Sequence, residues 1–242
     1  TERGTIACQS VVLAGGAWAS SFCRQYGIWF PQASIRQTVI SVSPGVSELP
    51  PVLHTTAVTM TRRGNGGYTV SISGRGRVDP TPQMLRFSAQ FLPMFLRRWR
   101  NLALGGLEGM RSGHEGMFRW RLDQPTPMER MRILDPAVDK AVARLTYRRA
   151  LDLVPALKER EVTAAWAGYI DSTPDGVPGI GEIASVPGMV LAAGFSGHGF
   201  GIGPGAGHLI ADIVSGATPI VDARPYHPDR FQSSAWGKVA EF

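Results

Sequence analysis

GMVLAAGFSGHGFGIGPGAG, residues 188–207, is the stretch on which the reading of this chain turns. Gly188 to Ala193 is a continuous apolar run, the pattern of a short strand buried on both faces. Six more glycines follow Gly194, at 197, 199, 201, 203, 205 and 207, and a closing helix is predicted over Gly205 to Ser215. So many missing Cβ atoms let a flat or anionic ligand touch backbone N–H groups, and a helix N-terminus adds partial positive charge. A glycine-rich turn at a crowded strand crossing gives the same text without a ligand. Two familiar motifs fail here. Ser196 is followed by Gly197 and His198, so the second glycine of a nucleophile elbow is out of register, and a serine hydrolase is disfavoured. Gly201-Ile202-Gly203-Pro204 lacks the Lys-Ser/Thr of a phosphate loop.

Working outward, residues 5–8 and 11–14 are predicted as two short strands. The second runs into Gly15-Gly16 and a helix from Trp18 to Tyr26, with Gly27 as its C′ residue. From Ile35 the texture becomes antiparallel. Strands are predicted over Ile35 to Val42, His54 to Thr61 and Tyr68 to Ser73, the last two joined by the turn Gly64-Asn65-Gly66-Gly67. A helix from about Pro82 carries Leu85, Phe87, Phe91, Phe95, Leu96, Trp99 and Leu102, a stripe read as core, with Pro93 expected to kink or split it. Met117 to Leu122 is a further candidate strand. Asp135-Pro136 is predicted to open a long helix, and Val162 to Ile170 another strand. The fold class is therefore mixed α/β (α+β), with an antiparallel domain of residues 31–160 inserted between 1–30 and 161–242.

The chain has 242 residues, 43% hydrophobic and 18% charged, which is globular usage. Lys and Arg number 25 against 19 Asp and Glu, a formal charge of +6. The basic residues form short clusters such as Arg97-Arg98-Trp99-Arg100 without a nucleic-acid module around them, and they are read as a solvated face, so no nucleic-acid partner is expected. No apolar run is long enough for a membrane span, and the opening residues TERGTIACQS show neither a basic leader nor an apolar stretch of the secretory kind, so no span or secretory signal is expected. With two cysteines, Cys8 and Cys23, a reducing, cytoplasmic location is expected. No metal site is expected.

Residues VVLAGGAW at 11–18, TPDGVPGIG at 173–181 and the glycine run from Gly194 to Gly207, in that order, resemble the C-terminal half of the FAD-dependent D-amino-acid oxidase family, which includes sarcosine and glycine oxidases. The resemblance implies a partial FAD-binding α/β domain with an inserted antiparallel substrate domain. It implies an enzyme that oxidises the C–N bond of an amine or amino acid by hydride transfer to flavin N5. Ala14, Gly15, Gly16 and Trp18 would line the ADP half of FAD. Gly194, Gly197, His198, Gly199, Phe200, Gly201 and Ile202 would lie against the isoalloxazine ring, where N–H donors stabilise the charge of reduced flavin. His198, inside that loop, is the catalytic candidate, able to donate to the ring or tune its potential.

The departures are specific. The Gly-x-Gly-x-x-Gly unit that opens such proteins is missing before Val11, so the chain is expected to be a fragment whose partners include the absent N-terminal part or a second copy. Where amino-acid oxidases carry the arginine that clamps the substrate carboxylate, this chain has Ile170. Gly168 stands where covalent-flavin enzymes place cysteine. Candidate substrate residues are Arg36, His54, Tyr68 and Arg75, on or near the antiparallel strands. The alternative is a non-catalytic subunit or degenerate flavin-fold module that binds an anionic partner.

Overall fold

The computed structural model describes residues 4–45, 49–72, 74–106, 115–116, 119–121 and 123–232. Its elements are β1 (Val11–Leu13), α1 (Ala19–Gln25), β2 (Ala33–Val42), β3 (Val52–His54), β4 (Thr59–Arg62), β5 (Tyr68–Ser71), β6 (Gly76–Val78), α2 (Pro82–Arg86), α3 (Ser88–Arg98), β7 (Leu102–Leu104), α4 (Pro127–Arg130), α5 (Lys140–Leu153), β8 (Val162–Ser172), β9 (Gly179–Glu182), β10 (Met189–Ala193) and α6 (Gly199–Ser215).

Among the described residues the strands form two sheets. The smaller has the order β1-β10-β9, with β1 parallel and β9 antiparallel to the buried β10. The larger runs β3-β4-β5-β2-β6-β7, and β8 pairs with β2 along its whole length. Residue 160 is thus not where the antiparallel sheet ends, because β8 carries it on to Ser172.

Strand β2 alternates, and its two faces have different fates. Ile40 and Val42 on one face join Met60, Tyr68 and Val70 in a core closed by α5, whose Ala150 is fully buried. Each aliphatic side chain buried there stabilises the fold by about 1.5–3 kcal/mol. The same face holds Arg36, buried and paired to Asp79 at 3.0 Å. Ile35 and Gln37 point to the other face, where Ile35 sits opposite Ile170 of β8.

Several expected elements differ. Residues 5–8 form no strand. The expected strand over His54 to Thr61 is two strands, because the Thr55 hydroxyl accepts the N–H groups of Ala57 and Val58 and turns the chain. The long helix opens at Asp139 and not at Asp135. Asp139 Oδ1 caps the Ala141 and Val142 N–H groups while its Oδ2 is held by Arg77 at 2.6 Å. The break near Pro93 falls instead at Phe87, whose buried ring packs edge-on against Trp29. Of the stripe read as core, Phe87 is buried but Leu85, Phe95, Leu96 and Trp99 are exposed. Half of the candidate strand Met117 to Leu122 lies outside the described residues, and residues 119–121 form no strand. Cys8 and Cys23 are both free thiols, and burial pushes Cys23 up to about 12.

Candidate functional site

The site begins at a corner where the two sheets meet. Strand β10 ends at Ala193 and the chain turns through Gly194, Phe195 and Ser196. The carboxylate of Asp171, at the end of β8, accepts the Gly194 N–H at 2.8 Å, and its carbonyl accepts the Ser196 N–H at 3.1 Å. Burial pushes the Asp171 carboxyl above the ordinary aspartate range, against donation from Gly194 and Phe195 that favours the charge. Gly194 has φ +80°, and a Cβ there would lie 2.3 Å from the Thr173 methyl. Ser196 has φ +53°, the one positive φ of a non-glycine among the described residues. Such a residue costs of order 1–3 kcal/mol and is held by its surroundings. Ser196 Oγ donates to the Gly194 carbonyl and accepts the Thr173 N–H.

The corner sets the start of α6. Gly205 was the expected first residue of that helix, but it begins at Gly199 with His198 as N-cap. Ala206 and Leu209 pack onto Ile180 and anchor the helix against the weak propensity of its glycines. Glycines read as loop therefore form the first turns, and the N–H groups of Gly199 and Phe200 precede the intrahelical ladder.

The glycines of this run fall into two kinds. Packing against Thr173 requires glycine at 194, and a Cβ on Gly199 would crowd Phe195 at 3.3 Å. A Cβ on Gly201, Gly203, Gly205 or Gly207 would meet nothing within 4 Å, and the neighbouring Phe200 is fully exposed. Gly201 and Gly205, one turn apart, share an outward face of α6, and with the N–H groups of Gly199 and Phe200 they form a cradle that fits a flat, electron-accepting ring. Gly15 and Gly16 lie at the end of β1, where Gly16 has φ +51° and its carbonyl accepts the buried Gln32 amide. A Cβ on Gly16 would also stand in open space. Ala14 is exposed and Trp18 half-buried beside that turn.

Ser196, Gly197 and His198 also line a cavity of about 700 Å³, within the range of small-molecule sites. The sheet contributes Ile35, Gln37, Ile170 and Ser172, and α3 contributes Met94 and Arg98. His54 and Arg75, both candidates from sequence, line it as well, with His54 Nδ1 2.7 Å from the Thr59 hydroxyl. Arg36 and Tyr68 do not line it. Arg36 faces the opposite side of β2 and binds Asp79 and the Ala137 carbonyl, and Tyr68 lies in the α5 core with its hydroxyl on Arg62. Arg98 escaped the sequence reading because four adjacent residues, Arg97 to Arg100, point in every direction around a helix.

Two mixed sheets, a helix opening on a glycine run and a cavity beside its start make up an architecture shared with a known family. The chain belongs to the DAO family of FAD dependent oxidoreductases, whose model matches residues 1–213. It is 24% identical over 229 residues to the glycine oxidase of Pseudomonas aeruginosa, covering 94% of this chain and 48% of that protein. To the glycine oxidase of Geobacillus kaustophilus it is 27% identical over 227 residues, covering 93% and 46%. L-amino acid deaminase from Proteus vulgaris shares the fold with a TM-score of 0.83 at 22% identity, over 92% of this chain and 51% of that one. The chain spans about half the length of the curated relatives it matches. No helix among the described residues is long and apolar enough to cross a membrane.

Proposed function

We propose that this chain is the substrate-facing half of a cytoplasmic FAD-dependent enzyme that oxidises the carbon–nitrogen bond of an amine or amino acid. The observation that carries the reading is the junction at Ser196, Gly197 and His198, which bounds the cavity on one side and opens the glycine cradle of α6 on the other. Residues 1–30 and those after Ser172 form the FAD-binding part, and the antiparallel sheet, β8 included, forms the substrate part.

FAD, when bound, would supply a two-electron acceptor for the hydride on the carbon beside the nitrogen; the substrate would lose its N–H proton to solvent and become an imine open to hydrolysis by water. The chain's own residues do the rest. The N–H groups of Gly199 and Phe200, which precede the helical ladder, would face the edge where negative charge develops, while those of Gly201 and Ile202 already donate to the His198 carbonyl. His198, the N-cap of α6 and a lining residue of the cavity, would donate a ring N–H to that same edge. Ile35, Ile170, Met94 and Leu102 make an apolar wall that excludes water and orients the C–H bond. Gly15, Gly16 and Trp18 would take the ADP half at the end of β1.

The test is anaerobic mixing of the full-length, flavin-loaded protein with a panel of primary and secondary amines and amino acids. Bleaching of the flavin absorption band by at least one of them is expected. A folded yellow protein that none of them reduces would defeat the reading and favour a non-catalytic module.

A further inference from the structure

We infer that the substrate of this cavity carries two anionic groups, one received by Arg75 and the other by Arg98. The inference rests on the proposed function and narrows its substrate class.

The chain's other well-placed arginines show what a structural guanidinium does here. Arg36 ends on Asp79, Arg77 on Asp139 at 2.6 Å, and Arg230 on Asp175 at 2.8 Å. Arg62 and Arg63 end on the Leu49 carbonyl and the Ser41 hydroxyl. Arg75 and Arg98 are both half-buried, and neither donates to an acceptor or pairs with a carboxylate among the described residues. They reach the cavity from separate elements, Arg75 from the turn before β6 and Arg98 from the last turn of α3.

No Asp or Glu is among the described residues that line this cavity. Two like charges facing one partly desolvated space repel each other, and one anion leaves an excess positive charge while two neutralise the pair. The other polar groups are partly engaged: the Gln37 amide donates to the Ile72 carbonyl and the Thr55 hydroxyl to the Val58 carbonyl. On the β2–β8 wall, where the arginine clamp of amino-acid oxidases would stand, Ile35 and Ile170 offer only methyl groups. Anion recognition in this cavity falls instead to Arg75 and Arg98. A secondary amine whose two arms each end in a carboxylate, or an amino acid with a side-chain carboxylate, fits this wall pattern: charge at both ends and an apolar strip under the oxidised carbon.

The experiment uses the full-length flavin-loaded protein and two readouts. First, saturated dicarboxylates and monocarboxylates of matched length are titrated against the flavin spectrum. The dicarboxylates are expected to perturb it at concentrations about 100-fold lower, the size expected for an added guanidinium–carboxylate pair. Second, kcat/KM for flavin reduction is compared for N-methylglycine and an N-carboxyalkyl glycine in the native protein, Arg75→Leu and Arg98→Leu. The dicarboxylate is expected to lead by about 100-fold, and each variant should lose about that factor toward it. Equal values for the two substrates, or equal loss of the monocarboxylate in both variants, would mean one shared carboxylate and overturn the inference. Reduction by no amine at all would instead overturn the proposed function beneath it. Retained flavin absorbance in both variants separates these results from misfolding.

Discussion

Gly194 and Gly201 belong to one glycine-rich run and are glycine for opposite reasons. At Gly194 the space is taken: φ is +80° and a Cβ would strike the Thr173 methyl at 2.3 Å. At Gly201 the space is open, with nothing within 4 Å of an added Cβ, as at Gly203, Gly205 and Gly207. The first glycine builds the corner, and the others keep a surface clear. What separates a structural glycine from one kept for a ligand is therefore the occupancy of the place its Cβ would fill, and the two groups should respond to alanine in opposite directions.

The largest response is expected at the corner. Gly194→Ala forces a side chain into a left-handed backbone, costing about 1–3 kcal/mol, and overpacks Thr173 for about 1–3 kcal/mol more. Denaturant unfolding of the full-length protein should show this loss, together with weaker flavin retention because the Ser196–His198 junction shifts. Equal unfolding midpoints for Gly194→Ala and Gly201→Ala would erase the distinction between the two kinds of glycine.

Much of this corner was legible in the sequence. The apolar run ending at Ala193 reads as a short buried strand, and alternate glycines after it announce a close approach. The extent of α6 was not legible, because Gly199, Gly201, Gly203 and Pro204 all argue against helix locally. Its first turns form because Ala206 and Leu209 are held on Ile180, a contact between segments far apart in sequence. The cavity was half legible. His54 and Arg75 stand out on or near strands of the substrate sheet, but Arg36 differs from its neighbour Gln37 only in parity, and parity selects a face without saying which face is the core. Tyr68 was misplaced for the same reason: period two marks it as one-sided, and the α5 helix then covers that side. Arg98 is hidden in a basic run, where only the docking of α3 decides which member turns inward.

A smaller response is expected from Asp171, which ties the corner to the sheet. Burial raises its carboxyl above the ordinary aspartate value of about 3.9. A group raised on folding favours the folded state most when protonated. Its contribution is complete below the unfolded value and is lost as pH rises through the folded one. Asp171→Asn keeps an oxygen to accept the Gly194 N–H while removing the buried charge. The difference in unfolding midpoint between the native protein and the variant should therefore move against the native protein as pH rises from about 3.9 towards neutrality. A difference that stays flat over that window would show that the carboxyl is not penalised in the corner and that its hydrogen bonds alone set its state.

The smallest and most discriminating response belongs to the open glycines. Gly201→Ala and Gly205→Ala, one turn apart on the same face of α6, replace glycine inside a helix with the best helix former, at positions where the added methyl meets no atom within 4 Å and φ is not positive. Considered as a protein without ligand, each variant should gain about 0.5–1 kcal/mol from lower backbone entropy in the unfolded chain. Binding FAD reverses the sign, since a methyl on the cleared face holds the ring away from the helical N–H groups, and charge–dipole interactions weaken with that separation. The apoprotein of each variant should therefore melt slightly higher than the native apoprotein, while the increase in melting temperature on adding FAD should be smaller than in the native protein. Variants that raise both would leave the clear face of α6 with no ligand to explain it, because a surface that tolerates methyl groups in both states has no reason to be glycine.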